Sequence, residues 1–272
     1  MNLKKYILAA LGICGTMLLV QAQTYTVIHP SANCKKIPSG LPLKAGDAVS
    51  AAEKIDLGDA SGRMVLWEKK AGLISIAAQK SASGKFLTSG TVSTLQQALP
   101  VTVDHNANFG TMSDLQRHFE GRRYLILGKT WLLAAPEFNL EGDTLLFYKF
   151  ESPKANLQVN RKVAHSGDSL LLTPKLILDM NGRPIPADDA SGFELYWLDL
   201  KTKGYKKLAA FEFVFVDEGE VAKEIKLLLS EIAKTDMDPS NRIGLVRQFL
   251  SAAYGEPDVH NVMAFLQANA LL

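Results

Sequence analysis

Two hydrophobic periods divide the chain. From residue 24 to about residue 216 the apolar positions come in short runs, many of period two, broken by Gly, Asp and Pro; beyond that point they recur every three to four residues. The first period predicts strands, beginning at 24–29, where Thr24, Tyr25, Thr26, Val27 and Ile28 precede Pro30. Residues 31–42, rich in Pro, Ser and Gly, read as a loop. Leu41 and Leu43, Val49, Ile55 and Leu57, the run 64–67, and Leu73 with Ile74 and Ile76 then give closely spaced strands, with turns at Gly46-Asp47, Gly58-Asp59 and Gly72. Gly-Asp recurs at 142–143 and 167–168, again before apolar runs. The spacing is irregular, so these pairs are strand-entry turns and not a repeat.

Residues 78–91 are rich in Ser, Gly, Lys and Gln and read as a solvated boundary, followed by a short helix over 93–99. A better helix is expected over 111–120, where Met112, Leu115 and Phe119 share a face and Gly121 provides a stop. Strands are expected again at 124–127, 131–134, 145–150, 169–178, 193–200 and 211–216, with a hairpin turn at Asn181-Gly182. In the last strand Phe211, Phe213 and Phe215 fall on one face, as sheet core or as an aromatic binding platform. Val221, Ile225, Leu228, Leu229 and Ile232 start a helical tail; Asp238-Pro239 and Asp258 open two further helices. The fold class is therefore α+β: a β-rich body, made of a small β module and a second β-sheet region, with a C-terminal three-helix segment. The expected division is 1–22, 23–82, 83–122 as a linker with short helices, 123–219 and 220–272.

Composition adds a compartment. Residues 1–22 carry basic Lys4 and Lys5, an apolar run over 6–20 and small Ala22, the three parts of a secretory signal. The run is short of the roughly 20 residues a membrane-spanning helix needs. Ile13 precedes Cys14 in mid-run, which argues against lipidation. Cleavage after Ala22 removes two of the 30 basic residues and none of the 28 acidic ones, so the mature chain is formally neutral. No basic face points to nucleic acid, and no membrane span is expected after cleavage. One cysteine, Cys34, then remains, so stability must come from core burial without an internal disulfide. Cys34 is expected to be a buried small hydrophobe.

The order L-x-x-G-D-x-V, I-x-L-G-D, the small-residue turn Ser61-Gly62 and a final L-I-S-I over 41–77 resembles the FecR-like β domain of exported bacterial proteins. The resemblance implies a small β-rich module facing the periplasm or cell exterior. It does not carry over an iron-signalling role, because the short cytoplasmic segment and internal transmembrane helix that such a role needs are missing.

Candidate chemistry is sparse. Gly128-Lys129-Thr130 ends like a phosphate-binding loop, but Arg123 stands where the first glycine is needed and the intervening residues are strand-like. Asp179, Asn181 and Gly182 begin like a calcium loop yet fit a hairpin. Asp236, Asp238 and Ser240 do likewise, with Asn241 and Arg247 at positions requiring Gly and Glu, and read as a helix cap. Asp188-Asp189 reads as an exposed loop. His29, His105, His118, His165 and His260 form no metal-presetting pair, and Cys34 has no neighbouring base in sequence. No catalytic, cofactor-binding or metal-ligating residue is assigned, and no cofactor is expected. The resulting expectation is an exported cell-envelope protein acting as a non-enzymatic binding module, with another envelope protein as partner. The alternative is an exported hydrolase whose site converges from distant residues, such as Cys34 with His29 or His105. A third option is an assembly component whose tail helices pack on a partner.

Overall fold

The computed structural model describes residues 23–58, 62–77, 79–80, 86–87, 92–94, 110–128, 130–133, 142–167, 169–180 and 182–272. It is α+β and β-rich, with a C-terminal helical segment. The amino-terminal unit contains β1 (Thr24–His29), β2 (Lys35–Ile37), β3 (Ala48–Ser50), β4 (Lys54–Asp56), β5 (Arg63–Glu68), β6 (Gly72–Ala77), β7 (Gln79–Lys80), β8 (Phe86–Leu87) and β9 (Val92–Thr94). An antiparallel sheet orders them β3-β1-β5-β6-β9, and a smaller one β2-β4-β8-β7. In β5 the consecutive residues Met64, Val65, Leu66 and Trp67 are all buried, because both faces of this strand are covered. Met64 and Leu66 pack with Val27, Cys34, Val49, Ile55 and Ile74, while Val65 and Trp67 join Ile28 and Leu73 on the opposite side.

Two expectations fail in this unit. The presumed loop 31–42 contains β2, whose Lys36 pairs with Ile55. The presumed helix from Ser93 begins instead inside β9, where Ile74 pairs with Thr94 and Ile76 with Val92; residues 95–99 lie outside the described set. In both places pairing to an open strand edge overrides a weak local preference.

The second unit begins with α1 (Met112–Phe119). Thr111 caps it in a reciprocal box with Asp114, and Leu115 and Phe119 are buried. Next come β10 (Arg123–Ile126), β11 (Thr130–Leu133), β12 (Thr144–Ser152), β13 (Leu157–Lys162), β14 (Ala164–Ser166) and β15 (Ser169–Leu172). The long strand expected over 169–178 stops there. Thr173 Oγ1 accepts the Leu176 N–H at 3.1 Å, Pro174 takes the first helical position, and α2 (Pro174–Leu178) follows. The hairpin β16 (Asp179–Met180) and β17 (Arg183–Pro184), then β18 (Ser191–Asp199) and β19 (Tyr205–Phe215), complete the unit. Its main sheet runs β13-β12-β18-β19-β10 and gains the short β20 (Glu256–Pro257) beside β10; β10 is parallel to β19 and to β20. One face is core: Tyr124, Tyr148, Phe150, Phe193, Phe211 and Phe213 are buried with Leu115 and Phe119, and Phe215 packs against them.

The tail is α3 (Glu218–Ile232), α4 (Arg242–Ala253) and α5 (Val259–Ala268). Asp217 caps α3 and Asp258 caps α5, so their amino termini are where the acids of the sequence place them. Val221, Ile225, Leu228, Val246, Phe249 and Leu250 form one apolar cluster with Ile28, Val65, Trp67 and Leu73 of the first sheet and Leu125 and Leu127 of β10. The helices thus bury their apolar stripes against both β units of their own chain. The close approach depends on Gly255, at φ +143°, where a Cβ would lie 2.7 Å from the Arg123 carbonyl oxygen.

Candidate binding face

The phenylalanine face of β19 is interior, with Phe211 7% and Phe213 4% exposed, which overturns the reading of it as a binding platform. Cys34 is 2% exposed beside Met64, and burial followed by the charge of Asp56 pushes its thiol up to about 11. Such a thiol holds its proton at neutral pH and is a poor nucleophile. Gly128 sits near the Glu218 carboxylate, which reaches to 3.3 Å from where a Cβ would be. An acid there opposes phosphate binding, and Thr130 is already in β11. Asp179 accepts the Gly182 N–H at 2.6 Å within the hairpin, and Asp238 accepts the Ser240 N–H at 2.9 Å as a cap. Lys129, Asn181 and His105 lie outside the described residues. Asp189 departs from expectation. It is 4% exposed, takes the Ser152 hydroxyl and accepts the Lys154 N–H at 2.8 Å, while Asp188 remains exposed and pairs with Lys154. These bonds tie the end of β12 to the loop before β18 and leave the buried carboxylate satisfied.

Among the described residues no group of three or more His, Cys, Asp or Glu is placed to hold a metal ion, and no described helix is long and apolar enough to cross a membrane.

One polar cluster assembles residues from both ends of the chain. His29, at the end of β1, directs Nδ1 at Glu224 of α3, 3.1 and 3.2 Å from its two oxygens. Tyr254, after α4, donates its hydroxyl to Glu224 Oε2 at 2.6 Å, and its ring meets His29 edge-on at 4.7 Å. Burial and the adjacent Glu224 raise the Tyr254 phenol far above its ordinary range, so it acts as a donor only. Glu224 is 9% exposed. The arrangement satisfies a buried acid at the seam between the first sheet and the helices, a structural role first. A carboxylate holding a histidine is also a component of hydrolytic sites. Here Cys34 has its nearest polar contact in Met64, and the His29 contact is with Glu224, so the structure does not bring the sequence-expected pair together.

The open chemistry lies on the other face of the second sheet. That face is divided: Leu125 and Val214 carry the helices, but the part formed by β13, β12, β18 and the start of β19 is not covered by them. Pairing partners in an antiparallel ladder point the same way. Register therefore sets Leu145, Leu198 and Tyr205 in one row, Lys162, Phe147, Tyr196 and Lys207 in the next, and Asn160, Lys149 and Glu194 in a third. Tyr205 is 72% exposed, and Phe147 and Tyr196 are half-buried. Phe147 and Tyr196 stack at 5.2 Å and 11°. Glu194 receives hydrogen bonds from Lys207 and from the Tyr196 hydroxyl, which hold it below the usual carboxylate range. Sequence reasoning missed this face. The available signal was in 145–150, where Leu145 and Phe147 alternate with Leu146, Tyr148 and Phe150, so apolar residues occupy both parities of one strand.

No family model, curated protein or solved structure matches this chain.

Proposed function

We propose that this chain is an exported cell-envelope protein acting as a non-enzymatic binding module, which engages another envelope protein through the open face of β13, β12, β18 and β19. The observation that carries the reading is the row of Phe147, Tyr196 and exposed Tyr205 on a sheet face that the chain's own helices leave free. Large apolar side chains grouped on a surface mark interaction sites when they are contiguous, whereas single ones are ordinary. The secretory pattern of residues 1–22 and the FecR-like order of 41–77 support the compartment. The buried, proton-holding Cys34 weighs against the hydrolase alternative.

The test is site-specific photo-crosslinking in intact cells, with the reactive residue at position 205 and, as control, at exposed position 226 on α3. Position 205 is expected to give one adduct, identified by mass spectrometry as an envelope protein, that disappears when Phe147→Ser is added. The same adduct from position 226, or its persistence in Phe147→Ser, refutes the assignment of the face.

A further inference from the structure

We infer that the open face takes an acidic, extended polypeptide segment, one carboxylate of which sits in a corner pocket between Lys162 and His165. The inference rests on the binding-face reading and names the chemistry of its partner.

The pocket lies where β13 leaves the sheet to become β14. Thr144, Leu145, Lys162, Val163 and His165 line it, together with the core residues beneath. Its volume of ≈ 10 Å³ suits a single oxygen atom or water molecule. Nδ1 of His165 is buried there and has no hydrogen-bond partner among the described residues. A buried ring nitrogen without a partner is costly, and a ligand oxygen reaching it removes that cost. Lys162 is exposed and makes no ion pair among the described residues. A carboxylate oxygen in the pocket meets a histidine N–H and an ammonium together, the donor set that an anion requires.

Charge on the face points the same way. Its central acid, Glu194, is already engaged by Lys207 and Tyr196, whereas Lys162 is free and Lys149 adds a second positive charge beside Glu194. Glu151 is the remaining acid of this face, on β12 beyond Lys149 and away from the pocket. The end nearest the pocket is therefore positive and apolar.

Three features favour a polypeptide segment over other anionic partners. β13 is an edge strand, so its outer backbone groups are open to an added strand. Phe147 and Tyr196 turn their ring faces to each other, which leaves their edges to solvent and removes the flat surfaces on which a sugar ring would lie. Four strands about 4.8 Å apart and rows spanning a few residues give an area on the order of 300 Å². That is well below the roughly 800 Å² per partner of a stable protein–protein interface, so a segment fits and a second folded copy does not.

The test is fluorescence anisotropy on the purified chain with a short fluorescein-labelled peptide alternating Glu and Val, its Gln-for-Glu counterpart, and oligogalacturonate as competitor. Lys162→Glu reports charge at an exposed position that leaves the core intact, and urea unfolding confirms its fold. The Glu peptide is expected to bind, to weaken about tenfold on Gln replacement and about tenfold with Lys162→Glu at low salt, and to shift the His165 Nδ1 resonance. Equal binding of the Gln peptide, an unchanged affinity in Lys162→Glu, or an unmoved His165 resonance overturns the inference. Binding of oligogalacturonate without the peptide also overturns it, in favour of an acidic polysaccharide. Failure of every probe while the position-205 adduct persists overturns the acidic chemistry alone and leaves the binding-face reading standing.

Discussion

Replacing Glu224 by alanine removes the acceptor on which His29 and Tyr254 converge, at the seam where the helices meet the first sheet. The Tyr254 hydroxyl gives up a 2.6 Å hydrogen bond and the His29 ring one of 3.1 Å, both to a carboxylate that is 9% exposed. Hydrogen bonds to a charged group contribute about 1.5–3 kcal/mol each, and a donor left buried without a partner costs a similar amount. The His29 side chain is 16% exposed and recovers part of its loss through water. A destabilisation of about 2–4 kcal/mol is therefore expected, equivalent to a fall in Tm of roughly 5–12 °C for a chain of this size. Urea unfolding followed by tryptophan fluorescence measures it, since Trp67 packs against the helices. Lys226→Ala, exposed on the same helix, is the control and should change stability by less than about 0.5 kcal/mol. A double-mutant cycle with His29→Ala should give a coupling of about 1 kcal/mol or more. A Glu224→Ala loss no larger than the control's, or zero coupling, refutes the view that this cluster fastens the helices to the sheet.

Two other outcomes follow from buried titratable groups. Burial, and next the nearby Arg122, push His118 down to about 4, so between about pH 6.5 and pH 4 the unfolded chain binds a proton that the folded chain refuses. Stability should be level above pH 6.5 on this account and fall by about 2 kcal/mol by pH 4.5; urea midpoints at the two pH values should differ less in His118→Phe than in the unaltered chain, and an equal difference in both counts against the assignment. Cys34, with its thiol raised to about 11, should resist a thiol-specific reagent in the native state at pH 8 and react once unfolded in urea; rapid labelling of the folded chain contradicts its burial.

Much of the fold was legible because local chemistry and tertiary packing agree. Thr111 and Asp114, Asp217, and Asp258 stand at helix starts whatever the helices later touch, since the first backbone N–H groups of a helix need acceptors. The alternation of Phe211, Phe213 and Phe215 likewise fixes which residues of β19 share a side. The misreadings fall where local preference is weak. β2 lies in a stretch of Pro and Ser, and β9 in a polar run; each is a strand because a neighbouring edge offered hydrogen bonds. Thr173-Pro174 was a readable helix start, masked by the apolar run on either side of it.

The candidate site was not legible, for a different reason. A strand pattern says which residues share a face and nothing about what covers that face. Sequence alone determined the α+β class, the three tail helices, their caps and the unpaired state of Cys34 within the chain after residue 22. Tertiary structure alone decided that the phenylalanine face is core, that the helices occupy one part of the opposite face, and that Lys162, Phe147, Tyr196 and Tyr205 remain on the part left over. It also decided that His29 meets Glu224, 195 positions away, and not Cys34. Backbone preference acts over a few residues, whereas burial and long-range hydrogen bonding depend on which surfaces the folded chain brings together.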